Sequence, residues 1–177
     1  MGKAEETRNK LLEAGRQVAL EGGASQLTLS TVAKRAGVSK GGILYHFGTK
    51  QSLLEGLVVS LLDEFDKAVQ EELERGARTW LLAYIRASFP RKRAAHVREI
   101  HTLFAILALE PELLKLAQQR FTTWHAKAQS DGHDPIDASL IRAAIDGIWY
   151  NEMFGLSLPQ EEIEGLLQRL EDLASRE

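Results

Sequence analysis

The chain is predicted to be all-α, with about nine helices, on three observations. Nearly every segment carries apolar residues at three- and four-residue spacing, and none sustains the alternation of a strand. The four prolines, Pro90, Pro111, Pro135 and Pro159, all fall between those segments, where a first-turn proline is tolerated. Glycines stand just past the periodic runs, at Gly22-Gly23, Gly37, Gly48 and Gly76, where a helix most readily ends.

The first helix is expected over residues 5–21, with Leu11, Leu12, Gly15, Val18 and Ala19 on its inner stripe. Two short helices follow, at 29–36 and 40–47. Ala33 is small enough to let a second helix approach, Gly37 can adopt the left-handed conformation, and Ser39 is a good N-cap for the next helix. Val38 and Ile43 supply apolar contacts beneath the turn, and Phe47 reads as core. This is helix-turn-helix grammar, in which the second helix enters the major groove of DNA. Thr49 caps a long helix over 50–75 whose stripe runs from Leu53 to Val69, and Gly76 ends it. Further helices are expected at 78–89, 92–109, 111–130, 135–155 and 159–175, with Asp134-Pro135 as N-cap and first residue. Two domains result, 1–49 and 50–177.

Composition narrows the function. The 177 residues carry a net charge of −3 and no cysteine, which excludes disulfides, thiolate metal sites and cysteine nucleophiles. The charge is unevenly spread. Residues 1–50 hold eight Lys/Arg and four Asp/Glu, whereas residues 51–177 hold fourteen and twenty-one. No acid lies between Glu21 and Glu55, while Lys34, Arg35, Lys40 and Lys50 do. A positive head on a negative body suits a protein that presents one end to phosphate. No apolar run approaches the roughly 18 residues of a membrane span, and the N-terminus lacks a secretory apolar core, so a cytoplasmic location is expected. There is no nucleophile elbow, Walker loop or dinucleotide fingerprint, so neither catalysis nor a cofactor is expected. His96 and His101 lie on different helical faces, and no metal site is expected.

The candidate DNA contacts cluster around the short helices. Lys40, Gly41 and Gly42 open the recognition helix; two glycines there cost roughly 1–2 kcal/mol against alanine but leave backbone amides bare. Lys40 suits a guanine edge or a phosphate, and Leu44 suits a thymine methyl or plain packing. Thr28 and Ser30 begin the preceding helix, where hydroxyls and amides can hold phosphate, a role compatible with simple capping by Thr28. Ser39 stands at the turn itself. Lys50 in a first turn opposes the helix dipole by a few tenths of a kcal/mol unless a phosphate binds there too. The plain alternatives are a loose helix start and a solvated lysine.

Leu27-Thr28, Val32-Ala33, Ala36-Gly37-Val38-Ser39, Tyr45-His46-Phe47, Lys50 and Leu53-Leu54 together resemble the TetR-type bacterial transcriptional regulators. The likeness is specific over about 50 residues; beyond them it extends only to helix count, length and order. It implies that Tyr45 and His46 both donate to phosphate of a double-stranded operator. It also implies that the C-terminal body binds a small molecule and forms a homodimer. Leu44 departs from the pattern, which often has tyrosine there.

Within that body, Ile163, Leu166, Leu167 and Leu170 form a stripe on the last helix, and Ile141, Ile145 and Ile148 one on the helix before it. Two such helices per protomer would build an intersubunit four-helix bundle, unless both stripes are spent within one monomer. Tyr84, His101, Phe104, Phe121, Trp124, Trp149 and Met153 are candidate walls of a pocket for an apolar or aromatic effector; the competing reading is plain core. The expected function is a ligand-responsive repressor of a near-palindromic operator. The alternative is an interaction adaptor that keeps the fold without reading DNA, against which the acid-free run speaks.

Overall fold

The computed structural model describes residues 2–89, 102–107 and 110–175, apart from the side chain of Met153. Among the described residues there are nine α-helices and no strand: α1 (Lys3–Gly22), α2 (Leu29–Ala36), α3 (Lys40–His46), α4 (Lys50–Glu74), α5 (Trp80–Ser88), α6 (the helical residues 102–107), α7 (Leu114–Gln129), α8 (Pro135–Met153) and α9 (Gln160–Ala174). Short 3₁₀ turns occupy Ala24–Gln26 and Pro111–Leu113.

The helix ends follow from side-chain chemistry. Thr28 Oγ1 accepts from the Thr31 amide at 3.0 Å, and Ser39 Oγ accepts from the Gly42 amide at 3.1 Å. Asp134 accepts from the amides of Ile136 and Asp137 ahead of α8. Each satisfies a donor that the first helical turn leaves without a partner. Gly37 has φ 62° and ψ 33°, a left-handed residue that closes α2 and lets α3 set off in a new direction.

Two boundaries differ from the sequence expectation. The helix expected from residue 78 begins at Trp80, because the Thr79 hydroxyl accepts from the Leu82 amide while the distant Asp131 carboxylate accepts from the amides of Trp80 and Leu81. The helix expected from residue 111 opens as a 3₁₀ turn, with the Leu113 amide donating to the Glu110 carbonyl, before α7 proper. Of the helix expected over 92–109, only 102–107 lies within helical described residues.

The chain forms two compact units, Met1–Leu62 with Arg98–Ala117, and Asp63–Val97 with Gln118–Glu177. In the first, Leu11, Leu27, Val32, Ile43, Leu53, Leu54 and Leu57 are at most 2% exposed. Burying a leucine or isoleucine side chain is worth about 1.5–3 kcal/mol, so this cluster holds α1 to α4 together. Two glycines set the approach of α1 and α3 to α4. A Cβ on Gly15 would stand 3.1 Å from the Leu57 methyls, and one on Gly56 would stand 2.8 Å from Phe47 Cε1. The Arg8 guanidinium lies 5.4 Å from the Phe47 ring centre, and Arg16 Nη2 donates to Ser60 Oγ at 2.6 Å.

The second unit packs the later part of α4 with α5, α8, α9 and most of α7. Here the structure corrects the expected subunit interface. Ile141, Ile145, Ile148, Ile163 and Leu170 are buried in this chain's own core, at most 6% exposed. Leu167 is half-buried, and of the seven residues only Leu166 is openly exposed. The physical reason is that a helix packed on two neighbours turns its most continuous β-branched stripe inward, where burial gains most.

Candidate nucleic-acid interface

The helix-turn-helix surface is built by α2 and α3. Val32, Ala33, Ala36, Ile43 and Phe47 are buried, which fixes the pair from beneath. What remains outside is polar. Thr28, Ser30, Ser39, Lys40, Gly41 and Lys50 are exposed, Gly42 and His46 are partly covered, and Tyr45 is 79% exposed. Leu44 is 42% exposed, an apolar side chain at the surface between buried Ile43 and outward Tyr45. The Tyr45 and His46 rings meet edge to face at 5.0 Å, so each orients the other. At the head of α2, the hydroxyl of Thr28 meets those of Ser30 at 3.0 Å and Thr31 at 2.7 Å, a compact hydroxyl cluster beside the first amides.

The two glycines of α3 differ in a way that spacing does not reveal. A Cβ on Gly41 would meet nothing within 4 Å, whereas one on Gly42 would fall 2.7 Å from Val38 Cγ1. Gly42 therefore lets α3 fold back on the turn, while Gly41 leaves an open stretch of backbone facing out.

The cations divide similarly. Arg35 is bound to Glu21 of α1 through both guanidinium nitrogens, one at 2.8 Å, and that hydrogen bonding holds the Glu21 carboxyl below its ordinary value. Lys34, Lys40 and Lys50 have no ion-pair partner among the described residues. Sequence reasoning grouped Arg35 with Lys34, Lys40 and Lys50 in the acid-free run; its partner lies fourteen residues earlier, outside that run.

A sequence profile of the bacterial regulatory proteins of the tetR family matches residues 11–57, and one of the tetracyclin repressor-like C-terminal domain matches residues 78–175. The chain belongs to the TetR family of transcriptional regulators. The HTH-type transcriptional regulator SrpR of Pseudomonas putida is 36% identical over 58 residues, which is 33% of this chain and 27% of that protein. The HTH-type transcriptional regulator BetI of Stenotrophomonas maltophilia is 28% identical over 160 residues, 80% of this chain and 79% of BetI. A crystal structure of a transcriptional regulator from Rhodococcus sp. Rha1 aligns with a TM-score of 0.72 at 27% identity, covering 94% of this chain and 93% of that one. The chain spans only 27% of the length of SrpR and 30% of that of the HTH-type transcriptional regulator TtgR of Pseudomonas putida.

In this TetR-family chain the aromatic residues of the body form a cluster of ring contacts. Phe65 lies 5.4 Å from Tyr84, 4.7 Å from Trp124 and 5.9 Å from Trp149, ring centre to ring centre. Tyr84, Trp124 and Trp149 are at most 6% exposed, and Phe121 packs on Trp124 at 4.9 Å. Phe104 falls within the first unit. His101 and the side chain of Met153 lie outside the described residues. The Trp124 indole donates to Asp66 Oδ1 at 2.6 Å, and Arg120 bridges Asp63 and Asp66.

Sequence reasoning missed the polar atoms at the edge of the cluster. The Tyr84 hydroxyl, Arg142 Nε and Asp146 Oδ1 are buried and find no hydrogen-bond partner among the described residues. Burial pushes both the Tyr84 phenol and the Asp146 carboxyl above their ordinary values, Arg142 opposing the shift at Asp146. Four-residue spacing of Arg142 and Asp146 was the available signal. The outward face of α8 carries Ile136 (75% exposed), Leu140 (56%), Tyr150 (53%) and, just past its end, Phe154 (65%), in a four-three repeat completed by Ala143 and Gly147. Among the described residues no helix is long and apolar enough to cross a membrane, and no group of three or more His, Asp or Glu is placed to hold a metal ion.

Proposed function

We propose that this chain is a ligand-responsive repressor that binds a near-palindromic DNA operator as a homodimer in the cytoplasm. One observation carries the reading: α2, α3 and the start of α4 carry no acid, and on them Lys34, Lys40 and Lys50 stand without ion-pair partners among the described residues, beside exposed Tyr45 and the open backbone of Gly41. Leaving cations unpaired gives no folding advantage, whereas each phosphate they neutralise releases condensed counterions and strengthens binding. In this assignment Thr28, Ser30, Ser39, Lys50, Tyr45 and His46 position the protein on the backbone. Lys40, Gly41 and Leu44 face the base edges, while Gly42 serves the interface by letting α3 close onto the turn.

The dimer reading moves to the outward faces of α8 and α9. Ile136, Leu140, Tyr150 and Leu166 are apolar and solvent-exposed, and a Cβ on Gly147 or Gly165 would meet nothing within 4 Å, so a second copy can approach closely. A two-fold pairing of these helices forms a four-helix bundle and presents two reading heads to two half-sites. The effector reading rests on the aromatic cluster with the unpartnered atoms of Tyr84, Arg142 and Asp146 at its edge. An effector that repacks this cluster would act through α4, whose residues belong to the first unit up to Leu62 and to the second from Asp63. A coupling of about 1–3 kcal/mol would weaken operator binding roughly 5- to 150-fold.

The test is selection of bound sequences from a random duplex pool by the purified protein, followed by anisotropy titration at moderate salt. Enrichment of an inverted repeat is expected. Binding that does not distinguish the selected sequence from random duplex would defeat the proposal.

A further inference from the structure

The second unit carries a cleft of about 550 Å³, separate from the aromatic cluster, between the α4–α5 turn, the α7–α8 loop and the end of α9. Its lining includes Arg78, Thr79, Leu82, Arg86, Asp131 and His133. We propose that this cleft binds a small organic carboxylate, with Arg78 and His133 as its recognition groups.

The proposal follows from which polar groups in the cleft are already spoken for. Asp131 is engaged at both oxygens: Oδ1 accepts from the Trp80 amide at 2.9 Å and Oδ2 from the Leu81 amide at 2.7 Å. Its negative charge sits on the positive end of α5 and is offset there. Thr79 accepts from the Leu82 amide at 3.1 Å and donates to the Ala174 carbonyl at 3.3 Å. Arg86 gives Nε and Nη2 to one oxygen of Glu171, at 3.1 and 2.9 Å, which fixes the plane of its guanidinium.

Two groups are left over. Arg78 is exposed and has no ion-pair partner among the described residues. The His133 side chain is only 8% exposed, yet its buried Nε2 has no hydrogen bond among the described residues. The nearest acid, Asp131 Oδ2, stands 3.9 Å from Nε2, beyond hydrogen-bonding reach. A buried imidazole nitrogen without a partner has lost its hydration with nothing in return, and a ligand oxygen would remove that cost.

The chemistry of the remaining surface selects the ligand. Asp131 and Glu171 are matched by the α5 terminus and by Arg86, so Arg78 is the uncompensated charge and the ligand is an anion. A planar guanidinium fork pairs best with a planar carboxylate. Leu82, 5% exposed, gives the cleft an apolar wall that favours an acid with a hydrocarbon body over a fully hydrated ion such as phosphate.

The test uses the full-length protein labelled with ¹⁵N at histidine, with His133 assigned through His133→Gln. Sodium benzoate is titrated against sodium chloride at constant ionic strength, and inorganic phosphate is titrated in parallel. We expect benzoate to shift the His133 ring signals saturably, and Arg78→Gln to weaken that binding by about tenfold or more without changing the melting curve. His133 signals that do not move, equal affinity in Arg78→Gln, or phosphate binding as tightly as benzoate would each overturn the proposal. No DNA enters the experiment, so its result is independent of the operator-binding reading.

Discussion

Gly56 faces Phe47 so closely that a Cβ on the glycine would stand 2.8 Å from the ring's Cε1 and 3.3 Å from a Leu12 methyl. Phe47 ends α3 and is 2% exposed, so this contact fixes where the recognition helix stops against α4. Adding even one methyl group forces the ring or the helix to move. Gly56→Ala is therefore expected to lower stability by about 1–3 kcal/mol. Urea denaturation followed by circular dichroism measures it; a midpoint equal to or above that of the parent would refute the close contact.

Gly41 makes the opposite case. Its surroundings are open, so Gly41→Ala should raise stability by about 0.5–1 kcal/mol through the backbone entropy it removes. If the bare backbone meets DNA, the same substitution weakens operator binding. Opposite signs in a melting curve and an anisotropy titration are the expected pair. Unchanged affinity would remove Gly41 from the interface.

Lys50 is exposed in the first turn of α4. Lys50→Ala should weaken binding to operator and random duplex alike and reduce the salt slope of log K by about one unit per protomer. Titrations at four salt concentrations give the slope. A loss confined to one base position would assign Lys50 to base reading instead.

The two faces of α8 should respond differently to substitution. Leu140→Glu with Tyr150→Glu alters exposed side chains, so the fold persists and the protein runs as a monomer in light scattering. Ile145→Ala removes a fully buried side chain and costs about 2–5 kcal/mol of stability. A doubly charged variant that remains dimeric would exclude the outward face as the interface.

Asp146 provides a pH test. Burial raises its carboxyl above the ordinary value, with Arg142 opposing, so the folded state prefers the protonated form. That stabilisation is complete below the unfolded value of about 3.9 and disappears as pH rises through the folded value. Asp146→Asn, neutral at every pH, should therefore melt higher than the parent at neutral pH, with the difference closing below about pH 4. A variant that melts lower at pH 7 would indicate that the Asp146 charge is compensated in the fold.

The sequence by itself determined the elements. Three- and four-residue spacing, the hydroxyl caps Thr28 and Ser39, the left-handed Gly37 and the Asp134-Pro135 start are local signals, and local signals survive without knowledge of neighbours. Only the tertiary structure decided which face each helix spends. Ile141, Ile145 and Ile148 read as an interface, but burial against α5 and α9 gains more for β-branched side chains than exposure to a partner, leaving Leu140 and Tyr150 outside. Arg35 was legible as a cation but not as half of an ion pair, because Glu21 belongs to another helix. The unmatched His133 and Arg78 had no signature at all, since whether a polar atom finds a partner depends on residues far apart in the chain.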